Sequence, residues 1–305
     1  MTRPLKIAVP DYVSNSYFPV LAAVELGCFR DEGIAAEVEI IFPPDRAYAA
    51  LRAGEVDLVA ASAHTAVSAF PEWDGVSLIC AQAQGMYWFL VMHRELAVAR
   101  GDVSAVRGRR IGAAPWVELG LRGVLEAAGL DPARDAIAIG PVPKVAQAGS
   151  NFGVSASIAL ERRDVDGFWA NGMAAELAVR QGFGDIVLDI RRGDGPPGCR
   201  QFTFASVAAR RALLADQPEL AGAVTRAVRR AHARLTDEPD CAEMVGRKLF
   251  PPEAAALIGT LIARDVPWFD TAISRDDFDA MNAFLRRLGR VGTGAAYEEV
   301  VASAG

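Results

Sequence analysis

The chain lacks most of the features that would commit it to a particular chemistry. Its four cysteines, Cys28, Cys80, Cys199 and Cys241, are widely scattered and form no Cys-x-x-Cys pair. Cys28 and Cys80 lie in apolar runs and are expected to be small buried hydrophobes, with nothing asking for a disulfide. The three histidines, His64, His93 and His232, make no His-Glu-x-x-His motif, so neither a metal nor a cofactor is expected. No Rossmann or phosphate-loop glycine fingerprint is present, and Gly149-Ser150-Asn151-Phe152-Gly153 is too degenerate to count as one. There is no excess of basic residues. The 38 acidic against 32 basic residues leave a net charge of −6, which argues against nucleic acid as a partner. No apolar run reaches the roughly eighteen residues that a membrane span needs. Met1-Thr2-Arg3-Pro4 leads straight into a strand pattern with no apolar secretory segment before it. The chain as written is therefore expected to be cytoplasmic and not membrane-spanning; a trimmed or upstream leader would make it periplasmic.

What is present is ample material for a core. The chain has 305 residues, 51% of them hydrophobic, which exceeds the usual size of one core and favours two lobes. The first seventy residues alternate strand and helix patterns, with polar residues at the carboxyl end of each strand. Leu5–Pro10 is short, apolar and β-branched, and breaks into Asp11-Tyr12-Val13-Ser14-Asn15-Ser16. A helix is expected over Pro19–Cys28, a strand over Val38–Phe42, a short helix through Leu51 and a strand over Leu58–Ala61. Ser62-Ala63-His64-Thr65 is then expected to begin another helix. In an open parallel α/β sheet, ligands bind outside the carboxyl ends of the strands, where helix N-termini present unpaired N–H groups.

A long-range echo divides the chain. Leu51–Ser62 (LRAGEVDLVAAS) has a counterpart in Leu160–Asn171 (LERRDVDGFWAN), which sets Val56-Asp57 against Val165-Asp166 and Ser62 against Asn171. Upstream, Ile7–Pro10 is echoed by Ile111–Ala114. Two βαβ lobes follow from that pattern, with a ligand cleft between them. Strands are expected at Val76–Ala83, Trp88–His93, Asp185–Ile190 and Gln201–Ala208, and Val103–Arg110 reads as a surface loop. Residues 1–84 and 195–305 form the expected first lobe and 85–194 the second. From Arg210 onward the pattern is helical. Leu213, Leu220, Val224, Val228 and His232 form one stripe, two more helices lie near Pro252–Ala263 and Asp276–Leu288, and Ser274 is placed as an N-cap.

The loops after the strands hold the candidate ligand contacts. Ser14, Asn15 and Ser16 offer small hydrogen-bonding groups that suit a carboxylate, sulfonate or amide, and equally suit ordinary turns. Tyr12 and Tyr17 are placed to wall an aromatic ligand or to pack the loop. Ser62 and Thr65 either cap a helix or, with its free amides, hold an anion. His64 is a donor to an acidic ligand, a base, or a packed side chain. In the second lobe, Trp116 and Glu118 sit at a helix start, and Glu118 either complements the dipole or accepts from a ligand amine. Trp169 either stacks on a ring or fills the core, and Asn171 follows the echoed strand. Asp45, Arg46, Ser150 and Asn151 are weaker candidates. If the protein is an enzyme, His64, Ser16 and Glu118 are the residues that would carry the chemistry.

Three segments carry a family resemblance: Tyr17–Ile34 (YFPVLAAVELGCFRDEGI), Ala47–Ala69 (AYAALRAGEVDLVAASAHTAVSA) and Ile111–Asp135 (IGAAPWVELGLRGVLEAAGLDPARD). Together they resemble the nitrate/sulfonate/taurine-type substrate-binding proteins of ABC importers, a group that includes binding proteins for thiamine pyrimidine precursors. The match spans roughly residues 5–235. It implies a two-lobed, type II periplasmic-binding-protein fold, each lobe a mixed, mostly parallel sheet flanked by helices, with the C-terminal helices on the first lobe. It further implies one small organic ligand, anionic or aromatic, and an importer membrane subunit as partner. The absent leader departs from exported members. Relatives with this fold include soluble enzymes, among them sulfinate desulfinases and dihydroxyphthalate decarboxylases. Ser16 falls at about the place of the desulfinases' nucleophilic cysteine, and the substitution weighs against that chemistry.

Overall fold

The computed structural model describes residues 3–12, 14–143, 152–250 and 252–302. Its contacts divide the chain into two units, Met1–Gln84 with Thr203–Gly305, and Gly85–Phe202. In chain order, the first unit begins with β1 (Leu5–Val9), α1 (Phe18–Glu25), α2 (Cys28–Asp31), β2 (Ala36–Ile40), α3 (Pro44–Ala53), β3 (Leu58–Ser62) and β4 (Val76–Ala83). The second contains β5 (Phe89–His93), β6 (Arg110–Ala113), α4 (Glu118–Ala127), β7 (Ala138–Gly140), α5 (Phe152–Glu161), β8 (Gly167–Ala170), α6 (Gly172–Arg180) and β9 (Gly184–Asp189). The chain then returns through β10 (Ala205–Arg210), α7 (Arg211–Asp216), α8 (Leu220–Asp237), α9 (Asp240–Leu249), α10 (Pro252–Asp265), α11 (Arg275–Arg287) and α12 (Tyr297–Val300).

Each unit is built on one mixed five-stranded sheet, and the two sheets have the same plan. The strand orders are β2-β1-β3-β10-β4 and β7-β6-β8-β5-β9. In the first, β1 lies parallel to β2 and β3, and β10 runs antiparallel to both β3 and β4. In the second, β6 lies parallel to β7 and β8, and β5 runs antiparallel to both β8 and β9. The antiparallel insertion is the strand that brings the chain in from the other unit. Every other strand therefore points its carboxyl end to one edge of its sheet.

The echo is visible in the register. Ile7 pairs with Leu58 as Ile111 pairs with Gly167. Asp57 and Asp166 play matching parts. Each carboxylate accepts a backbone N–H at the start of the neighbouring strand, from Lys6 at 2.9 Å and Arg110 at 2.8 Å. Asp57 is buried, and burial alone would raise its pKa. The bonds from Arg3 and Lys6 and the nearby charge of Arg210 outweigh that and hold it below the usual carboxylate value. The two repeats solve the preceding turn differently. Gly54, at φ 80°, closes α3 in the left-handed region that costs glycine nothing. Arg163 holds the equivalent place at φ 65°.

The first core gathers around Ile7, Val9, Phe18, Leu21, Leu58 and Leu78, all buried. The second gathers Phe89, Val91, Leu160 and Phe168 with the small residues Ala174 and Ala178 of α6. In α8, Leu220, Val224, Val228 and His232 are buried as the stripe requires, whereas Leu213, expected on the same stripe, lies half-buried in the separate helix α7; Ser274 Oγ accepts from Asp277 N as the cap of α11. All four cysteines are buried, and no two of them are bonded to one another. No helix among the described residues is long and apolar enough to cross a membrane.

Three expectations shift. β2 starts two residues earlier than expected. The segment after Ser62 is a 3₁₀ run, Ala63–Ser68, and not an α-helix. Its β-branched Thr65 and Val67 and its polar His64 and Ser68 favour no longer helix. Residues 195–202, expected with the first unit, belong to the second: the turn Cys199–Phe202 packs on α4, and Arg200 O accepts from Met86 N at 2.7 Å. The strand expected from Gln201 consequently begins at Ala205.

Candidate functional site

In the first unit, the carboxyl ends of β1, β2, β3 and β4 and the amino end of β10 share one sheet edge. The chain leaves and re-enters the unit there, after Gln84 and before Thr203. The loop after β1 is locked by its own acid. Asp11 accepts from Ser14 N at 2.6 Å and from Ser14 Oγ at 2.9 Å, and Tyr17 N donates to Ser14 O at 2.9 Å. Ser14, Asn15, Ser16 and Tyr17 are buried, and Tyr12 is half-buried. Asn15 Nδ2 donates to Asp265 Oδ2 at the end of α10.

After β3, Ser62, His64 and Thr65 are fully enclosed. Ser62 Oγ and Thr65 Oγ1 bond to one another at 2.7 Å, and Tyr48 Oη donates to Ser62 O at 3.2 Å. His64 Nδ1 meets Thr203 Oγ1 at 2.9 Å, with the ring edge-on to Phe284. The edge is braced from behind by Gln82, whose Oε1 accepts from Val20 N at 3.4 Å and whose Nε2 donates to Ser206 O at 3.0 Å. Its carbonyl receives His232 Nε2 at 2.8 Å, which fixes that ring as the Nε2–H tautomer. Burial drives the His232 pKa from 6.5 to about 4, against the pull of the Gln82 carbonyl and Asp270.

In the second unit, the equivalent edge carries an aromatic cluster. Trp116 is half-buried and adopts φ 67°, a left-handed conformation rare for a bulky residue, as the loop turns into α4. Glu118, half-buried, is the first residue of α4 and lies 3.8 Å from Arg122 one turn on. Trp169 is fully buried and its Nε1 donates to Val117 O at 3.1 Å. It is core, and its hydrogen bond holds the loop that carries Trp116. Trp88 tilts against it at 6.2 Å, Tyr87 against Trp88 at 5.0 Å, and the buried Arg191 lies over the Tyr87 ring at 5.5 Å. Asn171 is the N-cap of α6, its side chain accepting from Ala174 N at 3.2 Å. One of the two glycines of α4 is forced: a Cβ at Gly120 would come within 2.7 Å of the Trp88 ring.

The structure thus gathers Tyr12, Ser14, Asn15, Ser16, Ser62, His64 and Thr65 on one edge, and Trp116, Glu118, Trp169 and Asn171 on the matching edge of the other sheet. Asp45 is half-buried in the first turn of α3 and Arg46 is exposed; Ser150 and Asn151 lie outside the described residues. Thr203, Asp265, Gln82 and Arg191 are additions that no local pattern announces. Each acts on a residue far from it in sequence or precedes a strand that starts later than its pattern predicts. Among the described residues, no group of three or more His, Cys, Asp and Glu side chains could hold a metal ion.

The model of the NMT1/THI5-like family matches residues 14–242. No curated protein sequence matches the chain. Solved structures share the fold at low identity. A protein from Bordetella bronchiseptica RB50 is 19% identical with a TM-score of 0.75, covering 98% of this chain and 94% of that one. The alkanesulfonate-binding protein SsuA from Xanthomonas axonopodis pv. citri, bound to MOPS, is 14% identical with a TM-score of 0.72, covering 99% of both. The periplasmic nitrate-binding protein NrtA from Synechocystis PCC 6803 is 14% identical with a TM-score of 0.71, covering 98% of this chain and 86% of that one. These set two mixed five-stranded sheets with helices as a type II periplasmic-binding-protein fold.

Proposed function

The chain belongs to the NMT1/THI5-like family, and from that membership we propose that it is a solute-binding protein whose two units close over one small anionic or aromatic organic ligand, a sulfonate, carboxylate or pyrimidine-like molecule. The observation that carries the reading is the repeated edge. Both sheets, built on one plan, place buried polar or aromatic side chains where strand ends and helix starts meet, the usual ligand position in open α/β sheets. The solved relatives named for nitrate and alkanesulfonate binding support the ligand size and the importer role. As the capture component of an ABC importer, the protein would deliver its ligand to a membrane subunit from the periplasm.

Native mass spectrometry of freshly purified protein tests this. One small molecule per chain is expected, released on unfolding and unchanged after long incubation with the protein. Turnover of that molecule, abolished by His64→Ala, would replace the binder with an enzyme of the same fold.

A further inference from the structure

We propose that residues 289–302 form a detachable strap over the outer edge of the first unit's sheet, with Glu72 as its catch, and that the same seat accepts the strap of a second copy of this chain, giving a dimer by exchange.

The seat is the backbone of β4. This strand ends its sheet, and all eight of its residues, Val76–Ala83, are buried. A long apolar edge strand with free N–H and C=O groups is a template for pairing with another chain, so proteins cover such edges. Two segments from the C-terminal third do so here. Toward the carboxyl end, Ala81 N donates to Thr271 O at 3.1 Å and Gln84 N to Trp268 O at 2.8 Å. Toward the amino end, Ala302 N donates to Leu78 O at 2.9 Å, and Val301 pairs with Leu78 in a parallel bridge.

The second cover is lightly held. Within residues 289–302 only Val291 and Val300 are buried. The other attachments are polar: Tyr297 Oη donates to Ile273 O and Asn282 Nδ2 to Ala295 O, each at 2.8 Å, and Arg275 pairs with Glu298. Segments with few buried apolar contacts and exposed hydrogen bonds open at the lowest cost.

Glu72 closes the strap from the turn before β4. Its Oε1 accepts from Gly292 N at 2.6 Å and its Oε2 from Gly294 N at 2.8 Å. These bonds hold the carboxyl below the ordinary glutamate value, so the catch is charged at neutral pH. Glu72 and Trp73 both adopt left-handed conformations, φ 54° and 65°, which are rare away from glycine and persist only where neighbours enforce them. Trp73 is fixed through Nε1, which donates to Asn282 Oδ1 at 2.8 Å. On the strap, Gly294 sits at φ 72°, and a Cβ there would come within 2.8 Å of Asn282 Oδ1.

The segment seen to fit the amino half of the β4 edge is this chain's own, which makes a second copy the partner. The seat makes the same contacts with a strap from either copy, so exchange costs only a change of direction in the connection after α11. Gly289, at φ 63°, lies in that connection.

Two variants open the catch from opposite sides. Glu72→Gln sets an NH2 group against one of the two amides, and Gly294→Ala strains the strap. In each, hydrogen exchange at the Gly292 and Ala302 amides is expected to be about tenfold or more faster than in wild type, with β10 unchanged. Ser77→Cys and Ala302→Cys then report the partner, because both positions line one groove. Placed in separate copies of the Glu72→Gln protein, mixed and oxidised with copper phenanthroline, they should cross-link the two copies, and light scattering should show a dimer that grows with concentration. Unchanged exchange at Ala302 in both variants overturns Glu72 as the catch. Cross-linking only within a copy that carries both cysteines, or a monomer at every concentration, overturns the exchange. If one variant does not fold the other decides, and if neither folds the same cross-link in the wild-type background, in urea below its unfolding transition, decides.

Discussion

Lowering the pH from 6.5 to 4 is expected to take about 3 kcal/mol from the stability of the first unit, and His232→Phe to remove most of that dependence. The imidazole of His232 is buried against Phe269, with ring centroids 5.0 Å apart, and its Nε2–H is spent on Gln82 O. Burial lowers its pKa from 6.5 to about 4, with the Arg229 charge adding to the effect. Between those values the unfolded chain binds a proton that the folded unit refuses. Stability therefore rises with pH across the window and is lost as pH falls through it. Each pH step of one is worth at most about 1.4 kcal/mol, and the slope falls off toward both ends of the window, which brings the total to about 3 kcal/mol. Urea unfolding at a series of pH values measures it. A wild-type slope no different from that of His232→Phe would show that the ring is not the responsible group. The effect reaches the site because Gln82 also braces α1 and β10 at the edge where the candidate ligand residues lie.

Trp169→Ala is expected to cost about 3–5 kcal/mol in the unfolding transition of the second unit, the usual result of emptying a large core position. Trp169→Phe should cost about 1–2 kcal/mol, because it keeps most of the ring and orphans the Val117 carbonyl. The pair of variants separates two roles. If Trp169 acts by holding the loop of Trp116 and Glu118 through Val117, Trp169→Phe should weaken ligand binding although its ring is retained. If the ring itself stacked on the ligand, Trp169→Phe should bind nearly as well as wild type. Guanidinium unfolding with ligand titration of the same samples reads both quantities.

Much of the architecture was legible before the structure. The echo between Val56-Asp57 and Val165-Asp166 correctly paired β1 with β6 and β3 with β8, because a carboxylate pinning the start of the neighbouring strand is a strong local constraint. Most of the strands and the helical C-terminal third followed from periodicity, while the three-residue β7 was not among the expected strands. What periodicity missed were places where contacts beyond the window decide. The run Ala63–Ser68 is a 3₁₀ segment, tied by His64 to Thr203, 139 residues away. The turn Cys199–Phe202 docks on α4, which delays β10. In the candidate site, the polar loops were readable as loops, while Asp265 and Thr203 were not. Their roles depend on the sheet edge that the returning chain reaches, and nothing in their neighbours' spacing encodes it.

The claim that two similar units close over a ligand is tested most directly by hydrogen exchange, recorded with and without the natively captured molecule. The expected result is slower exchange with ligand bound in the loops at 14–18 and 114–119, together with altered exchange at the crossings near Gln84 and Thr203. Identical exchange in both samples at the loops and at the crossings would contradict it.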